Sequence, residues 1–306
     1  MSTAFRLRLP ATSANLGAGF DAAAVALSFF LEIEADRAQE FSIAATGLNP
    51  ERCAQTEDNL ILEIYKRLLT ENGRPVVPLA IRMINGIPLG MGCGSSAAGR
   101  LAAIALAVHF GKLDWSNDEI LEEASVLEGH PDNAAACWLG GFVIAACEGR
   151  KVHAARVAPP GEWRAIVVSP AHPLATTEAR GVLPDSYSRN DAVANIQAAS
   201  LLGLAFAQSR GDLLRVAMSD RLHQPYRAAI CPLLPQLLPL AGSNGILGAA
   251  LSGAGPSVLV IVGGEEDLGS ATEAIRKALV DSPESEIVVC QFETAGATEM
   301  FGQSRE

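Results

Sequence analysis

Apolar and polar residues alternate over several short stretches of this chain, and that period of two predicts β-strands. Apolar residues alternate with arginines over residues 5–9, which predicts a half-buried strand that ends at Pro10. A polar, glycine-rich turn is expected from Ala11 to Asp21, and apolar and acidic residues alternate again over 31–34. Further apolar runs predict strands over 78–84, 164–169, 258–262 and 286–292.

Other segments carry apolar residues at helical spacing. Asp58 is a candidate N-cap for a helix that passes through Ile61 and Leu69 and ends near Asn72. An alanine- and leucine-rich helix is predicted over 97–110, and the remaining helices over 118–127, 191–209, 212–219 and 265–279. Strands and helices interleave in both halves, which predicts α+β or α/β layers.

The Pro159-Pro160-Gly161 segment is the predicted boundary between two domains, 1–159 and 160–306. A chain of 306 residues is about the length of two domains. With 49% hydrophobic and 19% charged residues, it can bury a large core.

The charge balance limits the classes of partner. A formal net charge of -11 without cationic runs gives no electrostatic footprint for nucleic acid or an anionic membrane. No apolar run approaches the roughly 18 residues that span a bilayer, and the first residues lack an apolar signal core. Six scattered cysteines without a C-x-x-C pair favour reduced core thiols. We therefore expect a soluble, cytoplasmic protein.

A glycine-rich loop is the strongest local signal. Gly90, Gly92 and Gly94 alternate with other residues, and Ser95 and Ser96 then lead directly into the predicted helix. Glycine lets the backbone approach an anion, and the first helical N–H groups have no intrahelical partner. Such a loop favours phosphate. It lacks the lysine of a Walker A loop, and the third glycine and preceding strand of a dinucleotide fingerprint are misplaced here. A serine-capped tight connection is the alternative interpretation.

Three segments resemble motifs of the GHMP kinases, the family of galactokinase, homoserine kinase, mevalonate kinase and phosphomevalonate kinase. Residues 88–98 resemble its ATP loop, residues 10–21 its N-terminal motif and residues 248–257 its C-terminal motif. The sequence departs from the usual pattern at Ala18, where proline is common, and at Cys93, where leucine is common. Neither change removes a polar group.

Within the family, the details are most similar to the homoserine-kinase branch. The similar segments, besides the first motif, are residues 129–133, 176–180 and 220–227. The resemblance implies a two-lobed α+β fold, with a left-handed β-α-β unit in the nucleotide lobe and a ferredoxin-like C-terminal lobe. It also implies ATP and Mg²⁺ as cofactors and direct in-line phosphorylation of the γ-hydroxyl of L-homoserine, a step of threonine biosynthesis. Relatives are commonly dimers, so a homodimer is possible.

The resemblance also implies residues for the nucleotide and the metal. Asn59 resembles the position that meets the adenine base, with helix capping as the alternative. Ser95 and Glu122 are the expected magnesium ligands, although Glu123 and Glu128 are neighbours that could be mistaken for the metal carboxylate. The expected ATP loop consists of Pro88, Leu89, Gly90, Met91, Gly92, Cys93, Gly94, Ser95, Ser96, Ala97 and Ala98.

The residues implied for the substrate carry both signs of charge. Asp21 is expected to pair with the ammonium group, and Asn15 with a polar end of the substrate. Arg180 and Arg227 are expected at the carboxylate, because a guanidinium binds it bidentately. The resemblance adds Thr176, His130 and Asn133 to this pocket.

Asn133, Ser95 and Arg227 are the residues expected to act in catalysis. Related kinases carry a catalytic aspartate at what resembles the Asn133 position, so a strong general base is expected to be absent here. Asp132 is expected to point elsewhere and to cap the following segment. Cys93 precedes a helix, which predicts a lowered thiol pKa and faster alkylation than at the other cysteines.

Two other functions stay open at this point. The chain could be a kinase of the same family with a mevalonate- or shikimate-type alcohol, and a requirement for the substrate amine would separate the two. It could also be a non-catalytic metabolite-binding member of the fold.

Overall fold

The computed structural model describes residues 5–298 and Phe301. Within these residues the strands are β1 (Phe5–Asn15), β2 (Gly19–Arg37), β3 (Ser42–Gly47), β4 (Leu79–Asn85), β5 (Phe142–Glu148), β6 (Lys151–Val157), β7 (Arg164–Ser169), β8 (Ile246–Leu251), β9 (Val258–Val262) and β10 (Glu286–Cys290). No helix in this part of the chain is long and apolar enough to cross a bilayer.

Helices connect most of these strands. The α-helices are α1 (Pro50–Cys53), α2 (Leu60–Glu71), α3 (Ser95–Gly111), α4 (Asn117–Glu128), α5 (Asp132–Leu139), α6 (Thr176–Gly181), α7 (Arg189–Ala207), α8 (Leu214–Ala217), α9 (Gln224–Arg227), α10 (Leu233–Leu237) and α11 (Leu268–Ala278). Short 3-10 turns occupy Gly211–Leu213, Leu238–Leu240 and Glu265–Asp267.

The first sheet has the order β3-β4-β2-β5-β6, and β1 pairs with β2 antiparallel. The predicted end of the first strand at Pro10 was wrong, because β1 continues to Asn15. The β1–β2 register shifts between Pro10 and Ala11, and such an irregularity tolerates the missing proline N–H. The expected long turn therefore shrinks to the residues between Asn15 and Gly19.

Strands β3 and β4 pair in parallel, with α1 and α2 between them, which forms a β-α-β unit. The left hand expected for its crossover stays a prediction. Helix α3 is buried over most of its length because it is apolar on nearly every face. Its Gly99 and Gly111 face Leu60 and Leu69 of α2, so the two helices pack closely.

The second sheet is antiparallel with the order β10-β7-β9-β8. In chain order this is 4-1-3-2, with helices between β7 and β8 and between β9 and β10, which is the ferredoxin-like β-α-β-β-α-β pattern. The two-lobed α+β fold expected from the resemblance is confirmed.

The chain returns to the first sheet after β10. Ser28 N donates to Gln291 O at 3.0 Å, and Glu293 N donates to Ala26 O at 2.9 Å. The Phe301 ring packs 5.4 Å from that of Trp138. The last described residues thus add to the first lobe, and the predicted domain boundary near 159 stays a prediction.

Candidate active site

A cavity of about 380 Å³ is lined by residues from both halves of the chain. The predicted site residues that it brings together are Asn15, Asp21, Asn59, Leu89, Gly90, Gly92, Gly94, Ser95, Ser96, His130, Asn133, Thr176, Arg180 and Arg227. The predicted residues outside its lining are Pro88, Met91, Cys93, Ala97, Ala98 and Glu122.

The loop before α3 depends on glycine. Gly90, Gly92 and Gly94 have φ of +72°, +76° and +72°, where other side chains are strained. A Cβ on Gly92 would lie 2.2 Å from Ser252 O, and one on Gly94 would lie 1.9 Å from Thr12 Oγ1. The backbone therefore takes a path that leaves no room for side chains.

The start of α3 fits an anion. No side chain caps it, so its first N–H groups keep their hydrogen-bonding capacity. Ser95 and Ser96, the first helical residues, line the cavity. Free N–H groups and the positive end of the helix dipole favour phosphate here, so these residues fit the triphosphate of ATP.

The expectation for the Cys93 thiol was wrong. Cys93 is buried at the base of the loop, and burial raises its thiol pKa to about 12. Desolvation of the thiolate outweighs the helix dipole at this position. The exposed cysteine is Cys147, and Cys53 is the cysteine that lines the cavity.

Asn59 lines the cavity, as do Arg52 and Cys53. Its Oδ1 accepts from Ile61 N at 3.0 Å and from Leu62 N at 3.2 Å. Asn59 is therefore the N-cap of α2, and the prediction that Asp58 caps this helix was wrong. The cap fixes the Asn59 side chain at the cavity wall.

The β1–β2 turn presents Asn15 and Asp21, both with positive φ. Asn15 Oδ1 accepts from Asp21 N at 2.9 Å, and Asn15 Nδ2 donates to Gly253 O at 2.7 Å. The Asp21 carboxylate accepts two hydrogen bonds from Arg180, at 2.7 Å and 3.1 Å. This bidentate pair raises the pKa of Arg180. Two groups expected to bind opposite ends of a ligand thus neutralise each other in this structure.

Thr176 and Arg180 both lie in α6, one helical turn apart as expected. Both form part of the cavity lining. The Phe20 ring lies near both arginines, with its centroid 5.7 Å from Arg180 Cζ and 5.5 Å from Arg227 Cζ. The electron-rich ring face favours both cations.

Arg227 is a buried cation, only 1% exposed. Its guanidinium donates to Ala179 O at 2.9 Å, to His223 Nδ1 at 3.1 Å and to Gly253 O at 3.4 Å. Among the described residues, no carboxylate lies within 4.0 Å of it. Burial and the nearby Arg180 lower the pKa of Arg227. A buried guanidinium without an anion is costly, so this position fits a ligand carboxylate.

Four polar residues form a chain of contacts along another wall. Thr12 Oγ1 donates to Asn133 Oδ1 at 2.7 Å, and Asn133 N donates to Asp132 Oδ1 at 2.6 Å. His130 Nδ1 contacts the same Asp132 oxygen. Burial opposes a charge on His130, but the Asp132 contact and nearby carboxylates raise its pKa overall. The expectation that Asp132 points elsewhere was wrong, because it lines the cavity.

The acidic candidates for a metal lie in different surroundings. Glu122 is half-buried on α4 outside the cavity lining, and Glu128 lines the cavity in contact with Arg100. Glu123 pairs with Arg150 at 2.8 Å. A separate group, Asp21, His130 and Asp132, has potential ligand atoms within 4.8 Å of one another.

Sequence reasoning missed two residues that organise this site, Thr12 and His223. Both lie inside segments that resemble family motifs, which is the only signal the sequence offered. Thr12 connects the glycine-rich loop to Asn133, because its N donates to Cys93 O at 3.1 Å while its Oγ1 donates to Asn133 Oδ1. His223 is fully buried beside Arg227.

Comparison with known proteins gives matches to family models and to whole proteins. The model of the GHMP kinases N terminal domain matches residues 59–141, and that of the GHMP kinases C terminal matches residues 203–281. A homoserine kinase of Solibacter usitatus is 42% identical over 84% of each chain. A homoserine kinase of Caldicellulosiruptor bescii is 36% identical over 97% of each chain.

Solved structures share the fold. The crystal structure of homoserine kinase from Cytophaga hutchinsonii matches with a TM-score of 0.81 at 24% identity, covering 97% of each chain. That of L. major mevalonate kinase matches with a TM-score of 0.71 at 14% identity, covering 96% of this chain and 98% of the other. The two family models and the identity to curated relatives show that this chain belongs to the GHMP kinase family.

Proposed function

We propose that this protein is a homoserine kinase that transfers the γ-phosphoryl group of ATP to the γ-hydroxyl of L-homoserine. The product is O-phospho-L-homoserine, an intermediate of threonine biosynthesis. One observation carries the proposal: the uncapped start of α3 opens into the same cavity as Asp21, Arg180 and the unpaired cation Arg227. The curated relatives named homoserine kinase support the same activity.

ATP would bind with its triphosphate at the glycine-rich loop of residues 88–98 and its base near Asn59. The loop needs glycine at positions 92 and 94 to hold this conformation, because a Cβ on Gly92 would collide with Ser252 O and one on Gly94 with Thr12 Oγ1. Mg²⁺, when bound, neutralises phosphate charge, and Ser95 with Glu122 are the proposed ligands. Glu122→Gln should raise the Mg²⁺ concentration needed for ATP binding, with Glu123→Gln as the matched control. A shift in Glu128→Gln instead would assign the ligand to Glu128.

The ammonium and carboxylate groups of homoserine would bind by replacing the Asp21–Arg180 ion pair with two ion pairs to the substrate. Homoserine carries an ammonium and a carboxylate, so it can occupy Asp21 and Arg180 without leaving either charge unpaired. Its carboxylate would also meet Arg227, which has no anion of its own. A hydroxy acid without an amine would separate Asp21 from Arg180 and leave the Asp21 charge uncompensated. This asymmetry favours a zwitterion over mevalonate- and shikimate-type acids.

The reaction depends on positioning and charge more than on a base. The homoserine hydroxyl would attack the γ-phosphorus in line, and its proton would leave late, to phosphate or water. Asn133 cannot act as a strong base, and the bond from Thr12 fixes its amide beside the phosphate loop. Asn133→Ala should therefore lower turnover by a smaller factor than that by which Arg227→Ala raises the KM for homoserine. The reverse order would contradict this assignment.

A coupled ADP-release assay tests the proposed activity. The purified protein is given Mg-ATP with L-homoserine, 4-hydroxybutyrate, mevalonate or shikimate, and we expect turnover with homoserine at least about tenfold above the amine-free acids. Equal rates with homoserine and 4-hydroxybutyrate would remove the zwitterion argument. ATP binding without ADP release on any acceptor would favour the non-catalytic metabolite-binding protein.

Two further expectations remain predictions. One is a cytoplasmic location. The other is a homodimer, for which the exposed apolar side chains Val193, Ile196 and Leu204 on α7 offer a surface to test. Light scattering of Ile196→Glu beside the unmodified protein measures whether that surface joins two copies.

A further inference from the structure

His223 immediately precedes α9 and contacts Arg227 of the cavity lining, and it is completely buried. Its backbone is fixed by Asp220, whose Oδ2 accepts from His223 N at 2.9 Å and from Gln224 N at 2.6 Å. The ring stacks on Phe20, with centroids 5.1 Å apart and planes 21° apart. The imidazole therefore has a fixed place and a fixed plane.

The hydrogen bonds of the ring define its protonation state. His223 Nε2 lies 2.9 Å from Gly17 O, and a carbonyl oxygen only accepts, so Nε2 carries the proton. Nδ1 lies 3.1 Å from Arg227 Nη1, and a guanidinium only donates, so Nδ1 accepts. Both bonds form together only in the neutral ring with hydrogen on Nε2.

This one tautomer connects two parts of the substrate pocket. Gly17 belongs to the turn that carries Asn15 and Asp21, and Arg227 is the unpaired cation on the other side. A Cβ on Gly17 would lie 1.9 Å from Met218 O, so this turn packs directly against the backbone at the end of α8. The ring bridges the two at a set distance.

We propose that His223 is a positioning residue for Arg227, and that it holds the guanidinium in the orientation that an amino-acid carboxylate requires. The inference rests on the proposed function, because it assumes that Arg227 binds the carboxylate. In the guanidinium of Arg227, Nε donates to Ala179 O and Nη1 donates to His223 Nδ1. Nη2 is then the nitrogen left to donate to the ligand carboxylate. Without the His223 acceptor, only the bond from Nε to Ala179 O and the long contact from Nη1 to Gly253 O would orient the guanidinium.

The same geometry makes substrate binding sensitive to acid. A protonated ring would present an N–H to Arg227 in place of a lone pair, and it would place a second positive charge beside the guanidinium. The charged groups that face the ring are Arg227 and the carboxylates Asp220 and Asp21. Burial dominates over these carboxylates and lowers the pKa of His223 below its ordinary value, so the neutral ring persists at neutral pH.

The test compares His223→Gln with His223→Leu. A glutamine can accept from Arg227 through Oε1 and donate to Gly17 O through Nε2, whereas leucine of similar volume can do neither. We expect His223→Leu to raise the KM for homoserine roughly tenfold or more, the effect of one lost buried hydrogen bond to a charged group, with the KM for ATP unchanged. His223→Gln should recover most of the loss.

The pH profile separates positioning from mere structural support. Because glutamine does not titrate, the fall of kcat/KM for homoserine on the acid side of about pH 6.5 should be smaller in His223→Gln than in the unmodified protein, and any part of it caused by His130, which lines the same cavity, should remain in both proteins. Leu237→Ala, a buried change in the second lobe away from the cavity, controls for lost stability, which is measured by thermal unfolding.

The outcomes distinguish this inference from the proposed function. If the unmodified protein does not phosphorylate homoserine, the proposed function fails before any variant is compared. If it does, and folded His223→Leu keeps the KM for homoserine, the positioning role is overturned while the activity stands. A parallel rise in both KM values, or the same rise in a Leu237→Ala protein of equal melting temperature, also overturns it.

Discussion

Replacement of Arg227 by methionine should separate the stability of the protein from its affinity for substrate. The guanidinium is 1% exposed and donates three hydrogen bonds to neutral acceptors. Because the donor is charged, their loss costs about 1.5–3 kcal/mol each, whereas removal of a buried, unpaired charge returns several kcal/mol. These terms oppose each other, so we expect the free energy of unfolding to change by no more than about 2 kcal/mol in either direction.

The effect on substrate has no such compensation. Truncation of one partner of a buried charge pair costs about 2–5 kcal/mol of binding free energy. Each 1.4 kcal/mol weakens binding by about a factor of ten. The KM for homoserine should therefore rise at least about thirtyfold in Arg227→Met. The KM for ATP should stay within about twofold, because the glycine-rich loop is untouched.

The assay is coupled ADP release with each substrate varied in turn, beside a thermal melt of the same preparation. Arg210→Met is the matched control, because Arg210 is half-exposed and pairs with Asp212 at 2.7 Å on the surface. We expect its kinetics to match those of the unmodified protein. A homoserine KM that rises less than about threefold in Arg227→Met, or rises together with that for ATP, would refute the assignment of Arg227 to the carboxylate.

Three other substitutions or labelling experiments test separate parts of the site. Gly92→Ala should abolish ATP binding measured by calorimetry, since its Cβ would lie 2.2 Å from a backbone oxygen, whereas Gly73→Ala, with positive φ but open space, should bind ATP normally. ATP should slow the alkylation of Cys53, which lines the cavity, and leave that of the exposed Cys147 unchanged, as read by mass spectrometry. Asp21→Asn should reduce the preference for homoserine over 4-hydroxybutyrate roughly tenfold in the ADP-release assay, because the amine loses its carboxylate; an unchanged preference would contradict that role.

The sequence predicted best those elements whose apolar pattern is continuous. The strands over 164–169 and 258–262 have the bounds that their apolar runs indicated. Helix α3 was predicted from its long run of alanine and leucine residues and from the glycine at its end. Strand β6 was missed, because most of its residues are exposed and its apolar and polar residues do not alternate strictly; its pairing with β5 is what makes it a strand.

The site could be predicted as a set of segments but not as a set of contacts. Asp21 and Arg180 are separated by 159 residues, and their pairing follows only from the way the two lobes meet. Asp132 was expected to turn away, yet the local geometry of α5 puts it against His130. Motif spacing carries no information about such distances, whereas the positive φ of the loop glycines and the helix that follows them are local features that the sequence could predict.

The return of the chain to the first sheet decides which fragments can fold. Residues 291–293 hydrogen-bond to β2 and to Gly141, and Phe301 covers Trp138. A fragment cut near residue 159 would expose a sheet edge and an indole that the full chain buries, and such surfaces invite aggregation. Residues 1–159 should therefore express as a soluble species only when the segment from residue 291 onward is supplied, either in the intact chain or as an added peptide.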